Sequence, residues 1–86
     1  MLKIEWPTAE NLNQAEIESR KRFDALLPHA VKFRNAGWIA RIVREDSLNI
    51  SVVFISSDKK QYGPVSFSRM VGATDIENLT SFLPFC

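Results

Sequence analysis

The sequence predicts an α+β fold that consists of an N-terminal helix, a three- to four-stranded antiparallel meander and a short C-terminal helix. Three observations support it: apolar residues recur at helical spacing near the start, β-branched and aromatic residues dominate the middle, and a capping pattern precedes a short apolar stripe near the end. The 86 residues, 45% of them hydrophobic and with a formal net charge of +1, suit one folded domain over residues 1–86. The same composition excludes disordered and collagen-like chains.

The first element is a helix expected over residues 8–27. Thr8 is a suitable N-cap, and Pro28 should end the helix because proline lacks the amide hydrogen and clashes with the preceding turn. Glu16 and Arg20 have the spacing of an ion pair on the helix surface. The residues expected to face the core share one side of the helix; they are Leu12, Ala15, Ser19, Phe23 and Leu26.

Three strands are expected after this helix, over residues 38–45, 49–56 and 64–71, because β-branched and aromatic residues are concentrated there between polar turns. Pro64 places the third strand at an edge of the sheet, since proline cannot donate to a central ladder. Residues 28–36 fit either a fourth strand or a short helix ended by glycine, and the strand is favoured.

The last element is a short helix. Thr74-Asp75-Ile76-Glu77 has the spacing of a capping box, and Ile76, Leu79 and Leu83 follow as a buried stripe. The core should therefore bring together side chains from both helices and the sheet. These are Phe23, Phe54, Phe67 and Leu79.

Both faces of the predicted meander are largely apolar. A three-residue turn places Glu45 opposite Asn49, and Ile42 then pairs with Val52 on one apolar face. Two helices, one of them short, cover little more than one face of such a sheet. The second face is therefore covered either by the N-terminal segment around residues 4–6 or by another chain.

A second copy of this chain is the favoured cover, which predicts a homodimer; a different protein partner is the alternative. Ile17 lies roughly opposite the apolar side of the first helix, so it is a further candidate contact. The candidate interface residues are Ile17, Ile39, Val43, Val53 and Ile55.

No catalytic, cofactor or metal site is predicted. His29 and Cys86 are the only imidazole and thiol in the chain, too few for the clustered ligands of a zinc site. The three glycines are scattered singly, so they form no phosphate-binding loop. We therefore expect a non-enzymatic protein that acts by binding.

Positive charge is concentrated in the middle of the chain. Residues 20–44 carry a net charge of +6, against −3 for residues 1–19 and −2 for residues 45–86. A basic segment with interleaved aromatic residues suits a phosphate backbone, so a nucleic-acid-binding regulator is the alternative function. Its candidate contacts are Lys32, Arg34, Arg41 and Arg44.

A cytoplasmic location is expected. Cys86 is the single cysteine, which excludes an internal disulfide and favours a reducing compartment. No apolar run approaches the ~18 residues that cross a bilayer, and the N-terminus lacks the charged-then-apolar pattern of a secretory signal. No membrane role is therefore expected.

Residues 49–82 resemble a family of small bacterial domains of unknown function. In that family two strands lead into a Phe-x-Arg-Leu-x-x-Ala-Thr motif that opens a helix, and the domains are often encoded beside toxin-like partners. The matching segment here is Phe67-Ser68-Arg69-Met70-Val71-Gly72-Ala73-Thr74, with Ser68 in place of the usual proline and Met70 in place of leucine. The resemblance implies an interaction or regulatory module without catalysis.

Overall fold

The structure, a computed structural model, describes residues 2–30 and 37–83. Its elements in chain order are β1 (Lys3–Glu5), α1 (Gln14–Ala30), β2 (Ile39–Glu45), β3 (Asn49–Ile55), β4 (Gln61–Ser68) and α2 (Ala73–Leu79). The strands form one sheet in the order β1-β2-β3-β4, and both helices pack on the same face of it. The predicted α+β class is confirmed.

The sheet is mixed, whereas the sequence predicted an antiparallel one. β2, β3 and β4 form the expected antiparallel meander, but β1 pairs with β2 in parallel, with Ile4 opposite Ala40. A parallel pair needs a long crossover connection, and α1 supplies it. The helix is therefore not the first element of the fold. A strand of three residues is too short for alternation to identify.

α1 begins later than predicted. Asn13 is its N-cap: Asn13 Oδ1 accepts a hydrogen bond from the Glu16 amide at 2.8 Å, and Glu16 Oε1 accepts one from the Asn13 amide at 3.3 Å. This reciprocal capping box satisfies amides that the start of a helix leaves unpaired. The predicted N-cap, Thr8, lies before the helix and plays no part in it.

α1 also ends later than predicted, at Ala30. Pro28 lies inside its last turn and is buried, so packing outweighs the single helical hydrogen bond that the proline removes. The strand favoured for residues 28–36 is therefore wrong at residues 28–30. Residues 31–36 lie outside the described part of the chain.

The turn between β2 and β3 is closed by Asp46. Its amide donates to the Asn49 carbonyl at 3.0 Å. Its carboxylate Oδ1 accepts from the amides of Leu48 at 3.0 Å and Asn49 at 2.7 Å. The two hydrogen bonds to Oδ1 hold the pKa of the Asp46 carboxyl below its usual range, because they stabilise the ionised form.

A β-bulge in β2 changes where its last residue points. The predicted pairing of Ile42 with Val52 is confirmed, but one extra residue follows, so Glu45 pairs with Ile50 and not with Asn49. Because side chains alternate along a strand, an unbroken β2 would turn Glu45 away from the helices. The bulge turns it towards them.

β4 is an edge strand, as its proline predicted, but it spans Gln61–Ser68 and not residues 64–71. A cis peptide joins Gly63 to Pro64 where the pairing with β3 shifts register. Gly63 has φ +111°, and a Cβ there would lie 2.9 Å from the Val52 carbonyl oxygen. Glycine is required at this position because the backbone of β3 approaches so closely.

The core lies between the two helices and the inner face of the sheet. Phe23, Phe54 and Phe67 are almost fully buried in it, as predicted, and the rings of Phe23 and Phe67 meet edge to face at 5.6 Å. Leu79 was predicted to join them, but it is 44% exposed.

Two of the three residues predicted for the buried stripe of α2 and the turn after it, Ile76 and Leu83, do reach the core. Gly72 is the N-cap of α2, so the helix begins two residues earlier than a cap at Thr74 would place it. The buried residues of α2 and of the turn that follows it are spaced i, i+4 and i+7, and Leu79 lies beside that stripe and not within it. They are Ile76, Thr80 and Leu83.

Candidate functional site

The sheet face turned away from the helices, called the open face below, holds most of the predicted interface residues. Strand alternation places Ile39 and Ile55 there as a direct cross-strand pair, and Val53 lies there opposite Arg41. Val43 lies in the bulge, after the inward-facing Ile42 and before Arg44, which is on the open face. The residues of the open face on β1, β2 and β3 are Lys3, Glu5, Ile39, Arg41, Val43, Arg44, Asn49, Ser51, Val53 and Ile55.

The apolar residues of the open face differ in exposure. Val43 is 51% exposed, Ile39 and Val53 are half-buried, and Ile55 is only 7% exposed. Ile17, the remaining candidate, is half-buried on α1, on the other side of the sheet. The structure thus brings four of the five candidates together and leaves Ile17 apart.

Two of the candidate nucleic-acid contacts lie on this same open face. Arg41 and Arg44 are both exposed, and Arg41 Nε lies 3.2 Å from Glu5 Oε1 on the neighbouring strand. The other two candidates, Lys32 and Arg34, lie outside the described residues. The protein-binding and nucleic-acid-binding hypotheses therefore concern one surface.

The N-terminal segment does not cover the open face. Ile4 and Trp6 pack against the core on the helix side, and the rings of Trp6 and Phe23 lie 5.8 Å apart. Within residues 2–30 and 37–83, both helices pack on the inner face of the sheet. The sequence allows either the N-terminal segment or another chain to cover the second face of the sheet. The expectation that the N-terminal segment covers it is therefore wrong.

A charged cluster lies on the helix side of the sheet, at the end of β2. Arg20 of α1 donates to both oxygens of Glu45, with Nε 3.0 Å from Oε2 and Nη2 on Oε1. The guanidinium carbon of Arg20 also lies 4.8 Å from the centre of the Trp6 ring, as a cation–π contact. Trp6 Nε1 in turn donates to Asp24 Oδ1 at 2.6 Å. The cluster links α1 to the C-terminal ends of β1 and β2.

Arg69 is the centre of this cluster and is only 7% exposed. Its Nε donates to the Asp46 carbonyl and its Nη1 donates to Ser19 Oγ, both at 2.7 Å. Its Nη2 lies 2.9 Å from Glu45 Oε2 and 3.6 Å from Glu16 Oε2, as ion pairs without hydrogen-bond alignment. Arg69 therefore ties the β2–β3 turn, α1 and the β4–α2 junction together.

The two arginines lower the pKa of Glu45. The hydrogen bond from Arg20 is the largest cause; burial opposes it and Arg69 adds to it. The same bond raises the pKa of Arg20. Glu16, the predicted partner of Arg20, pairs with Arg69 instead, because β2 supplies Arg20 with a carboxylate that grips both of its nitrogens.

A cleft of about 300 Å³ lies beside Arg69, between the start of α1 and the β2–β3 turn. Leu48 and Met70 border it and are 71% and 79% exposed, while Glu16 and Ser19 line its wall. Arg69 directs its nitrogens at protein oxygens, so its charge is already compensated. The cleft therefore offers mainly apolar contact.

Within the described ranges, no group of three or more His, Cys, Asp or Glu side chains is placed to hold a metal ion. His29 is exposed near the end of α1, and Cys86 lies outside those ranges. Neither described helix has the length and apolar character needed to cross a membrane.

Sequence reasoning missed the Arg69 cluster. An arginine that follows an edge strand carries no periodic sign of burial, and the sequence singles it out only within the segment that resembles the bacterial family. The available signal was the strand register: pairing of Asn49 with Ser68 carries Arg69 beside the acidic pair Glu45-Asp46. That register could be inferred only once the bulge in β4 was known.

Comparisons with protein-family models, with curated proteins and with solved structures give no match to this chain.

Proposed function

We propose that this protein is a non-enzymatic, regulatory protein-interaction module that binds through its open face and associates with copies of itself. The observation that supports the proposal is the character of that face. It combines aliphatic side chains with exposed arginines, while both described helices pack on the opposite side of the sheet.

A sheet that is packed on one side usually alternates apolar residues inward with polar residues outward. β2 and β3 depart from this rule, because Ile39, Val43 and Val53 point outward. These aliphatic groups lie on two adjacent strands, interrupted by Arg41 and Ser51. Each square ångström of apolar surface removed from water contributes about 25 cal/mol. The resemblance of residues 49–82 to a family of small bacterial domains of unknown function implies an interaction or regulatory role without catalysis.

The test is the molar mass of the protein between about 1 and 100 μM, measured by light scattering and sedimentation. The native chain should exceed the monomer mass at the upper concentrations. The double substitution Val43→Lys with Val53→Lys should restore the monomer mass, because charged groups cannot be buried without partners. Ile55 is left unchanged because it is 7% exposed, and a lysine there would disturb the fold itself.

Leu48→Lys is the matched control. Leu48 is an exposed aliphatic residue at the β2–β3 turn and not on the open face, so its replacement should leave the mass unchanged. A native chain that stays monomeric at ~100 μM contradicts self-association. A Val43→Lys, Val53→Lys variant that still associates moves the interface away from the open face.

Nucleic-acid binding is the second candidate function, because Arg41, Arg44 and Lys3 are exposed on the same face. Binding to phosphates weakens steeply as salt rises. Under the first proposal, mobility-shift assays with duplex DNA and with RNA should show no complex at ~150 mM salt. Sub-micromolar binding at that salt, abolished when the candidate contacts are changed to glutamine, would make this the leading function. Those contacts are Lys32, Arg34, Arg41 and Arg44.

A further inference from the structure

Two exposed side chains of the open face are placed there by the bulge in β2. Ile42 lies opposite Val52 and points inward, so alternation turns Val43 outward. Arg44 also points outward, because it is Arg44 that lies opposite the outward-facing Ser51. Val43 is 51% exposed and Arg44 is exposed beside it. The bulge therefore presents an aliphatic side chain and a cation side by side.

An unbroken β2 would present a different face. The register without the bulge is the one predicted from the sequence, with Glu45 opposite Asn49. Ile50 is fully buried and faces the helices, so Arg44, its partner in that register, would point inward. Glu45 would then point outward. The two registers thus exchange Arg44 and Glu45 between the two faces of the sheet.

This exchange decides the charge of the open face. With the bulge, the outward-facing side chains of the described strands include three cations and one carboxylate, a formal charge of +2. They are Lys3, Arg41, Arg44 and Glu5. Without the bulge, Glu45 would replace Arg44, and two cations would face two carboxylates. The bulge is therefore what makes the open face basic.

The charges on the helix side of the sheet discriminate between the two registers. Glu45 accepts hydrogen bonds from Arg20 through both carboxylate oxygens, and Arg69 Nη2 lies 2.9 Å from Glu45 Oε2. Without the bulge, Arg44 would enter this poorly hydrated site as a third arginine, and Glu45 would leave it. Glu16, which lies 3.6 Å from Arg69 Nη2, cannot compensate three cations. Crowded like charges away from water are strongly unfavourable, so the two arginines stabilise the bulged register.

We infer that Arg20 and Arg69 are positioning residues for the open face: by holding Glu45 inward, they fix the bulge that presents Val43 and Arg44 to a partner. Neither arginine lies on that face, since Arg20 belongs to α1 and Arg69 to the β4–α2 junction. The consequence for binding rests on the proposed function, whereas the control of the β2 register does not. The charge of the interface is thus set from the opposite side of the sheet.

The decisive variant exchanges the two residues, as Arg44→Glu with Glu45→Arg. Alternation without a bulge then turns the carboxylate at position 44 towards the two buried arginines and the guanidinium at position 45 outward. We expect β2 to lose its bulge, with position 44 opposite Ile50 and position 45 opposite Asn49. Nuclear Overhauser contacts between the backbone protons of opposed residues report the register. The native chain should show Glu45 opposite Ile50.

Glu5→Arg with Arg41→Glu is the matched control. It exchanges a glutamate and an arginine that pair across the open face at 3.2 Å and that make no bond to Arg20 or Arg69. This variant should keep the bulge. Circular dichroism and thermal unfolding establish that both variants are folded.

A second test leaves β2 unchanged and decides the matter should the exchange variant not fold. Arg20→Gln removes the cation that holds both oxygens of Glu45. Amide hydrogen exchange at residues 43–45 should become about tenfold faster or more, because the bulge then opens more readily. Lys21→Gln, at the exposed neighbouring residue of α1, is the control and should leave these rates unchanged. Equal rates in the native chain and Arg20→Gln overturn the inference.

Self-association should follow the register. In the exchange variant the outward cation moves from opposite Ser51 to opposite Asn49, about 7 Å along β3. A partner fitted to the native face should therefore bind the exchange variant about tenfold more weakly or worse, as light scattering over the same concentrations measures.

The outcomes separate this inference from the proposed function. A folded exchange variant that keeps its bulge overturns the inference, and so does one that loses its bulge yet associates like the native chain. A native chain that stays monomeric at ~100 μM overturns the proposed function and the consequence for binding. Loss of the bulge in the exchange variant would still support the control of the register by Arg20 and Arg69.

Discussion

Among single residues, Glu45 is the one whose side-chain direction depends most directly on the β-bulge in β2. One extra residue in β2 turns its carboxylate towards α1, where the side chain is 8% exposed and contacts both Arg20 and Arg69. Those arginines are 15% and 7% exposed, so the three groups share one poorly hydrated site. Removal of the carboxylate charge leaves two buried cations short of a partner, which is more costly than the loss of a surface ion pair.

We expect Glu45→Gln to lower the free energy of unfolding by about 2 kcal/mol at pH 7, the usual value of a hydrogen bond to a charged group. The pKa of Glu45 is lowered in the folded state, so its contribution is complete above the unfolded value of about 4.3. That contribution is lost as the pH falls through the folded pKa. The difference between native and variant chains should therefore shrink in acid.

Urea unfolding at pH 7 and at several values below pH 5 measures that difference. Glu10→Gln, at an exposed residue before α1, is the matched control and should alter stability little at any pH. A difference between Glu45→Gln and the native chain that stays constant down to pH 3 would show that the charge of Glu45 contributes nothing.

Among the elements, α1 has the most influence on the charged cluster around Arg69, although it carries no residue of the open face. It connects two parallel strands, and its first two turns direct Ser19 and Arg20 at the β2–β3 turn and its cluster. Its starting point therefore sets which side chains reach Arg69. The reciprocal bonds between Asn13 and Glu16 define that starting point.

Asn13→Ala should reduce stability by about 1 kcal/mol, because it removes the side-chain acceptor for an amide of the first turn. Thr8→Ala is the control that discriminates between the two helix starts. Thr8→Ala should leave the free energy of unfolding almost unchanged if α1 begins at Gln14. Thermal unfolding of both variants decides the point, and an equal loss from Thr8→Ala would favour the longer helix that the sequence predicts.

At the scale of the whole molecule, the fold is a helix layer on one face of a four-stranded sheet, with a single core between them. Its largest contacts are made by a few aromatic side chains from distant parts of the chain. Trp38 stacks on Tyr62 with ring centres 5.4 Å apart, and Phe23 meets Phe67. A chain of this length buries a smaller fraction of its surface than a larger domain does, so each of these large side chains contributes a substantial share of the stability.

Phe54→Ala should lower the free energy of unfolding by about 3–5 kcal/mol, which is a large part of the total stability of a domain of this size. Val53→Ala is the matched control, since Val53 is the next residue of the same strand and points to the open face. Val53→Ala should lower the free energy of unfolding of the monomer much less. Equal losses in urea unfolding at low protein concentration would mean that the two faces of β3 are equally buried.

The meander could be predicted from the sequence because it depends on local patterns. Alternation around Ile42 and Val52 defines their shared face, and the acidic turn at Asp46 brings their strands together. The same alternation identifies Ile39 and Val53 as residues of the opposite face. Most of the candidate interface could therefore be predicted without any knowledge of the helices.

The remaining features depended on contacts between residues far apart in the chain. The three residues of β1 become a strand only because β2 offers them an edge. Glu45 points inward only because β2 is bulged, and Arg69 can be buried only because that carboxylate is there to meet its charge. By itself the sequence determined which residues share a strand face, since alternation is a property of the local backbone. Only the tertiary structure decided which face was covered and which charges were buried, because burial and pairing are set by neighbours that the local pattern does not contain.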